Sequence, residues 1–220
     1  MAFGLFLNFE KLSLDIIENE INQMTDDNTL YDTDEDALDE INEEKFLSNL
    51  YHGSIAATFI VNLYETTLNT ILGRRLGCVE QKILEAHQAL KLQIICVLYD
   101  VDLASVKGHT SFAILQDIIK VRNDITHFKS NEIFEGTFIP SSIIIPKGTS
   151  KRPIAEVFTK TFMEKSYNEV LNFIDMLCQK CDLVMYKDCQ ALDCDARDAL
   201  CEFVVEKAVF DQCIKERLGE

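Results

Sequence analysis

Apolar side chains recur in steps of three and four along much of this chain, and the steps predict helices. Between residues 46 and 72 they fall at Phe46, Leu50, Ala57, Val61, Tyr64, Leu68 and Ile71, with Leu47, Ile55, Phe59 and Leu63 widening the stripe. Such a broad stripe predicts a long helix packed on more than one side. Gly73 and Gly77 flank Arg74 and Arg75, a pattern that predicts the C-terminal stop, with cations at the negative end of the helix. A second helix is predicted over 79–99 on Ile83, Ala86, Leu90, Ile94 and Val97, antiparallel to the first because the connection is short. Lys107 and Gly108 mark a break. A third helix follows on Phe112, Leu115, Ile118 and Ile119, with Thr110 or Ser111 as its N-cap.

The period then changes. Residues 133–153, IFEGTFIPSSIIIPKGTSKRP, mix β-branched residues with Pro and Gly, which predicts a long excursion or a small hairpin. Helical spacing returns over 154–185 on Phe158, Phe162, Val170, Phe173, Leu177, Cys181 and Val184, and again over 196–218 on Leu200, Phe203, Phe210 and Ile214. A short N-terminal helix is predicted on Leu12, Ile16 and Ile17. No internal repeat is present. The fold class expected is all-α: an antiparallel helical bundle over 46–190, an acidic N-terminal extension over 1–45, and a C-terminal helix over 191–220 packed on the bundle.

Composition narrows the picture. A chain of 220 residues with 47% apolar side chains and three prolines has enough apolar material for a core. Its eight cysteines lack secretory spacing, and no N-terminal stretch reads as a signal peptide. Glu10 and Lys11 interrupt the first apolar run well short of the roughly 20 residues a membrane helix needs. A cytoplasmic protein without membrane contact is therefore expected. The net charge of −16 is unevenly spread. Residues 1–45 carry 14 acidic and 2 basic side chains, whereas residues 107–165 carry 9 basic and 6 acidic. Charge asymmetry of this kind speaks to partners rather than to fold. The acidic stretch 26–44 fits a solubilising surface, and as a tethered polyanion it would also compete with RNA for a basic cleft.

The one basic region contains DIIKVRNDITHFKS, residues 117–130. In a regular helix positions five apart differ by about 140°, so Arg122 and His127 would not share a face, whereas Asn123 and His127 would. Convergence of Arg122 and His127 would follow if the helix ended near Thr126, or if a two-fold axis brought two copies together. Chemistry explains the pairing. Imidazole moves protons near neutral pH, to and from a ribose 2′-hydroxyl or a leaving 5′-oxygen, and guanidinium binds the phosphate and the charge that develops on it. That reaction needs no metal.

VRNDITHF, placed after an apolar helix and two earlier helices, resembles the Arg-polar-x-x-x-His signature of the HEPN superfamily, the higher eukaryotes and prokaryotes nucleotide-binding domain. The resemblance covers roughly residues 46–185. It implies a helical bundle, usually dimeric, and a metal-independent endoribonuclease of a bacterial stress, toxin–antitoxin or antiphage type, without cofactors. It also implies RNA as substrate, a homodimer, and an antitoxin or regulatory protein as a further partner. In that reading Arg122 contacts phosphate, His127 transfers protons and Asn123 orients the site. From their positions in the sequence, Glu65 and Asp124 are expected to support Arg122, and Lys120, Lys129, Lys147, Lys151 and Arg152 to form an RNA-binding rim. The superfamily also has catalytically silent members, so an interaction module is the alternative.

A third reading rests on Cys178, Cys181, Cys189 and Cys194, whose CxxC start would suit a structural zinc site in a helical scaffold. Cys181 lies on the apolar stripe with Cys178 beside it, so buried free thiols explain that pair without metal. His52 and His87 read as packed or surface histidines.

Overall fold

A computed structural model describes residues 9–26, 40–77, 83, 85–126, 157–185 and 204–218. Seven helices and one two-stranded sheet account for nearly all of them. In chain order these are α1 (Phe9–Asn22), α2 (Glu40–Leu76), α3 (Gln88–Leu98), α4 (Leu103–Lys107), α5 (Thr110–Thr126), α6 (Lys160–Lys180), β1 (Leu183–Met185), β2 (Val204–Glu206) and α7 (Lys207–Leu218). The excursion expected over 133–153 lies outside the described residues, and those described are largely helical, as the periodicity requires.

α2 runs for 37 residues, and from Ala57 onward its core stripe is the one the sequence marks out, whereas Leu47 is exposed and Leu50, Ile55 and Phe59 are half-buried. Ala57, Val61, Tyr64, Leu68 and Ile71 are all buried, together with Ile60, Leu63 and Leu72. Gly77 ends the helix at φ +69°, and its amide donates to the Gly73 carbonyl at 2.8 Å. A left-handed residue is tolerated there because glycine has no Cβ to clash.

Several expectations are corrected. The second helix starts at Gln88 rather than near residue 79, with His87 as its N-cap: the His87 side chain accepts from the Ala89 amide. Its buried face is Leu92, Ile95 and Cys96 with Gln88 and Lys91, whereas Leu90 and Val97 point outward. The fourth helical period ends at Lys180, and residues 183–185 form a strand instead. Leu183, Val184 and Met185 pair antiparallel with Glu206, Val205 and Val204, so the C-terminal helix begins only at Lys207. A left-handed Asp182 (φ 55°) turns the chain from α6 into β1, and its carbonyl accepts from the Lys207 amide at 3.0 Å. In α1 the inward residues are Ile17 and Ile21, followed by Met24, and Leu12 is exposed. The short helix α4 had no periodic signal. Asp102 caps it, accepting from the amides of Ala104 and Ser105.

The fold divides into two compact units, each discontinuous in sequence: Met1–Ser13, Asn62–Phe112 and Leu171–Glu220 form the first, and Leu14–Val61 with Ala113–Val170 the second. In the first unit Phe173 is fully buried, and the rings of Tyr64, Phe112 and His109 lie 5.9, 5.6 and 6.4 Å from it. Tyr99 donates from its hydroxyl to the Ile71 carbonyl at 3.1 Å, which ties the end of α3 to α2. Arg74 donates to the Val204 carbonyl at 3.1 Å, tying α2 to β2.

In the second unit residues 25 and 26 form a polar node. The buried Asn49 accepts from the Thr25 amide at 2.9 Å and donates to the Thr25 carbonyl at 3.0 Å. Asp26 caps the start of α6 from across the chain, accepting from the Thr161 amide at 2.7 Å and the Thr161 hydroxyl at 2.8 Å. Helix N-termini carry amides without intrahelical acceptors, and a carboxylate there also meets the positive end of the helix dipole.

Close packing in this unit yields a prediction at Gly53 in α2. A Cβ added there would stand 2.6 Å from Phe158 Cδ1 and 3.0 Å from Met24 Cε. Alanine gains about 1 kcal/mol of helix propensity over glycine, but overpacking of this kind costs about 1–3 kcal/mol. Gly53→Ala is therefore expected to lower the thermal midpoint. A raised midpoint would mean that the Phe158 ring yields without cost.

Candidate functional site

The candidate site is built on α5. Gly108 C-caps α4, and the helix restarts at Thr110 with His109 accepting from the Ser111 amide at 3.3 Å. Leu115, Ile118, Ile119 and Val121 then supply the buried face. This apolar stripe fixes the rotation of the helix, and so fixes which way its last turn faces.

That turn carries Arg122, Asn123 and Asp124, all of intermediate burial. An arginine half out of solvent has its stem held by packing while it keeps a charged, planar donor fork at its tip. The Thr126 hydroxyl donates back to the carbonyls of Arg122 at 3.0 Å and Asn123 at 3.2 Å. This is the back-bonding by which a Ser or Thr hydroxyl shares the i−4 and i−3 carbonyls of its own helix. Lys120 pairs with Asp117 one turn earlier at 3.6 Å, an exposed contact worth little by itself.

Arg122, Asn123, Asp124 and Lys120 are thus gathered along the second half of one helix. His127, Lys129, Lys147, Lys151 and Arg152 lie outside the described residues. Glu65 is half-buried in α2 and accepts from the Gln88 side-chain amide on α3. Lys91, one turn further along α3, is almost fully buried. Burial pushes its ammonium down from the usual lysine range, and the Glu65 charge opposes that shift without cancelling it. Neither Gln88 nor Lys91 was singled out in the sequence, although a lone lysine in QALKLQIICVL was the available signal.

Cys178 and Cys181 are buried free thiols. Burial, with the neighbouring Cys96 and Asp182 adding to it, pushes the Cys181 thiol up to about 12, which makes it inert as a nucleophile at neutral pH. Cys189 and Cys194 lie outside the described residues, and among those described no group of three or more His, Cys, Asp or Glu side chains is placed to hold a metal ion. His52 donates from Nδ1 to the Glu20 carboxylate at 2.6 Å and meets the Tyr51 ring edge-on. It links α2 to α1. Among the described residues no helix is long and apolar enough to cross a membrane.

No protein family, curated protein or solved structure matches this chain.

Proposed function

We propose that the chain is a metal-independent endoribonuclease of the HEPN type, acting at Arg122 and His127. The observation that carries this reading is the placement of Arg122 and Asn123. Both lie half-buried in the last described turn of an amphipathic helix, with the Thr126 hydroxyl on their carbonyls and His127 next in sequence. In this mechanism the imidazole of His127 takes the proton of a ribose 2′-hydroxyl as its oxygen attacks the adjacent phosphorus. The resulting imidazolium returns a proton to the departing 5′-oxygen. Arg122 holds the non-bridging oxygens, where negative charge accumulates, and Asn123 orients the reacting groups. A second copy supplies the same pair across a two-fold axis and so doubles the charge available to one phosphodiester.

Atoms balance without water in this step: the P–O5′ bond breaks as the P–O2′ bond forms, leaving a 2′,3′-cyclic phosphate and a 5′-hydroxyl. Incubating the purified protein with total RNA in excess EDTA is expected to give fragments with those ends. Intact RNA, or cleavage only when a divalent cation is restored, would overturn the proposal.

A further inference from the structure

We infer that the first turn of α3 holds a reactive amine, Lys91, placed to form a Schiff base with a small hydroxyaldehyde, with Glu65 as its proton carrier. The site lies within the first unit and is independent of ribonuclease activity, since it uses neither Arg122 nor His127. Lys91 is 4% exposed and stands in the opening turn of its helix. Both circumstances oppose a positive charge: burial strips the ammonium of water, and the N-terminus of a helix is its positive end. A lysine kept only for its charge would sit against a carboxylate. Among the described residues Lys91 makes no such ion pair, and the neighbouring Glu65 instead accepts from the Gln88 side-chain amide. The uncharged amine, with its lone pair available, is the form in which a buried lysine acts as a nucleophile.

Two amide oxygens point to the chemistry of the ligand. Gln88 is 6% exposed, and while its nitrogen donates to Glu65, its Oε1 is buried with no hydrogen-bond partner among the described residues. Oδ1 of Asn69, one turn along α2 on the side of Glu65, is likewise buried and without a partner. Buried acceptors left without donors are costly and few. A ligand hydroxyl supplies the missing donor. An aldehyde that carries a hydroxyl on the adjoining carbon therefore matches the site: its carbonyl carbon meets Lys91, and its hydroxyl donates to Gln88 Oε1. His87, Ala89 and Leu90 of the same stretch are exposed, so the turn lies at the surface and a small molecule has a short way in.

Charge selects the reaction. Carbon dioxide would convert the amine into a carbamate, a second anion beside Glu65, whereas an iminium sets opposite charges together. Nζ attacks the carbonyl carbon, the C–N bond forms, and a solvent proton goes to the carbonyl oxygen. Glu65 takes one proton from the nitrogen and returns it to the new hydroxyl as the C–O bond breaks and water leaves. The nitrogen keeps one proton. One aldehyde and one proton are consumed, and one iminium and one water are formed.

The probe is glycolaldehyde, added to the full chain at neutral pH with sodium cyanoborohydride, which reduces the imine to a stable secondary amine. Mass spectrometry of proteolytic peptides then locates the modified lysines. Lys91 is expected to be modified about tenfold faster than the exposed Lys107 and Lys215. Acetaldehyde lacks the hydroxyl, and relative to its rate at Lys107 it is expected to modify Lys91 about tenfold more slowly than glycolaldehyde does. Gln88→Leu is expected to erase that preference. Glu65→Gln is expected to slow both aldehydes at Lys91 by about tenfold while leaving Lys107 unchanged. Circular dichroism checks both variants, and the comparison within the unaltered chain stands whether or not they fold. Modification of Lys91 no faster than of Lys107 would overturn the inference. So would the same preference between the two aldehydes at both lysines, since Lys91 would then recognise no hydroxyl.

Discussion

Phe173→Ala is expected to lower the stability of the chain by about 3–5 kcal/mol, the usual cost of emptying a buried phenylalanine site. Phe173 has no exposed surface, and three rings, from Tyr64 in α2, His109 just before α5 and Phe112 in its first turn, lie at centroid distances of 5.6–6.4 Å. Such pairs add about 0.5–1.5 kcal/mol beyond area burial. Tyr64 cannot easily close the gap. It is itself buried, and burial already pushes its phenol above the usual tyrosine range. Since single domains are stable by about 5–15 kcal/mol, the variant would keep little margin. Urea unfolding followed by circular dichroism is the measurement, with the midpoint falling and the slope unchanged. Phe173→Leu, which leaves a smaller void, is expected to lose about half as much. A loss below about 1 kcal/mol for alanine would mean that the ring cluster is not the centre of that unit.

On the ribonuclease reading, His127→Ala is expected to slow RNA cleavage by about 10²–10⁴-fold, the range that a positioned acid–base group contributes. The loss should fall on kcat, because the imidazole acts on protons that move only in the transition state. Arg122→Lys is the companion variant. Lysine keeps the charge but not the planar fork, so a smaller loss of about tenfold is expected, again mainly in kcat. Single-turnover cleavage of a defined RNA, with binding measured separately, distinguishes these losses from weakened affinity. Wild-type rates from His127→Ala would remove histidine from the mechanism.

Much of the helical plan was legible because α2 is long and its buried stripe is regular. Ala57, Val61, Tyr64, Leu68 and Ile71 keep a single period over four turns, and Gly77 terminates them by a local steric rule. α3 defeated the same reasoning for a physical reason: with Leu90, Leu92, Ile94, Ile95 and Val97 in about two turns of sequence, two opposite faces have equal apolar claims. Periodicity cannot choose between them, and tertiary packing chose the face at Leu92 and Ile95. The strands were hidden by their length. Three residues each at Leu183–Met185 and Val204–Glu206 are too few for alternation to stand out, and their pairing depends on partners about twenty positions apart.

The candidate site divides along similar lines. Arg122 and Asn123 near a helix end followed from local pattern, since the stripe on Leu115, Ile118 and Ile119 sets the position of that turn. The partners of Glu65 did not, because Gln88 and Lys91 reach it only through the rotation of α3. That rotation is the quantity the sequence left open.

The node at Thr25 and Asp26 has a bearing on time rather than on stability. Asn49 is 24 positions from Thr25, but Thr161 is 135 positions from Asp26. Closing a loop of that length costs chain entropy before any hydrogen bond repays it. The contact between Asp26 and Thr161 is therefore expected to form late, after the helices have met, so that Asp26→Ala speeds unfolding in a stopped-flow chevron and leaves the folding rate nearly unchanged. Interactions of that kind do little to hasten folding and act mainly to slow the reverse step. The carboxylate that caps α6 is accordingly a kinetic clasp, one that lengthens the lifetime of the folded second unit.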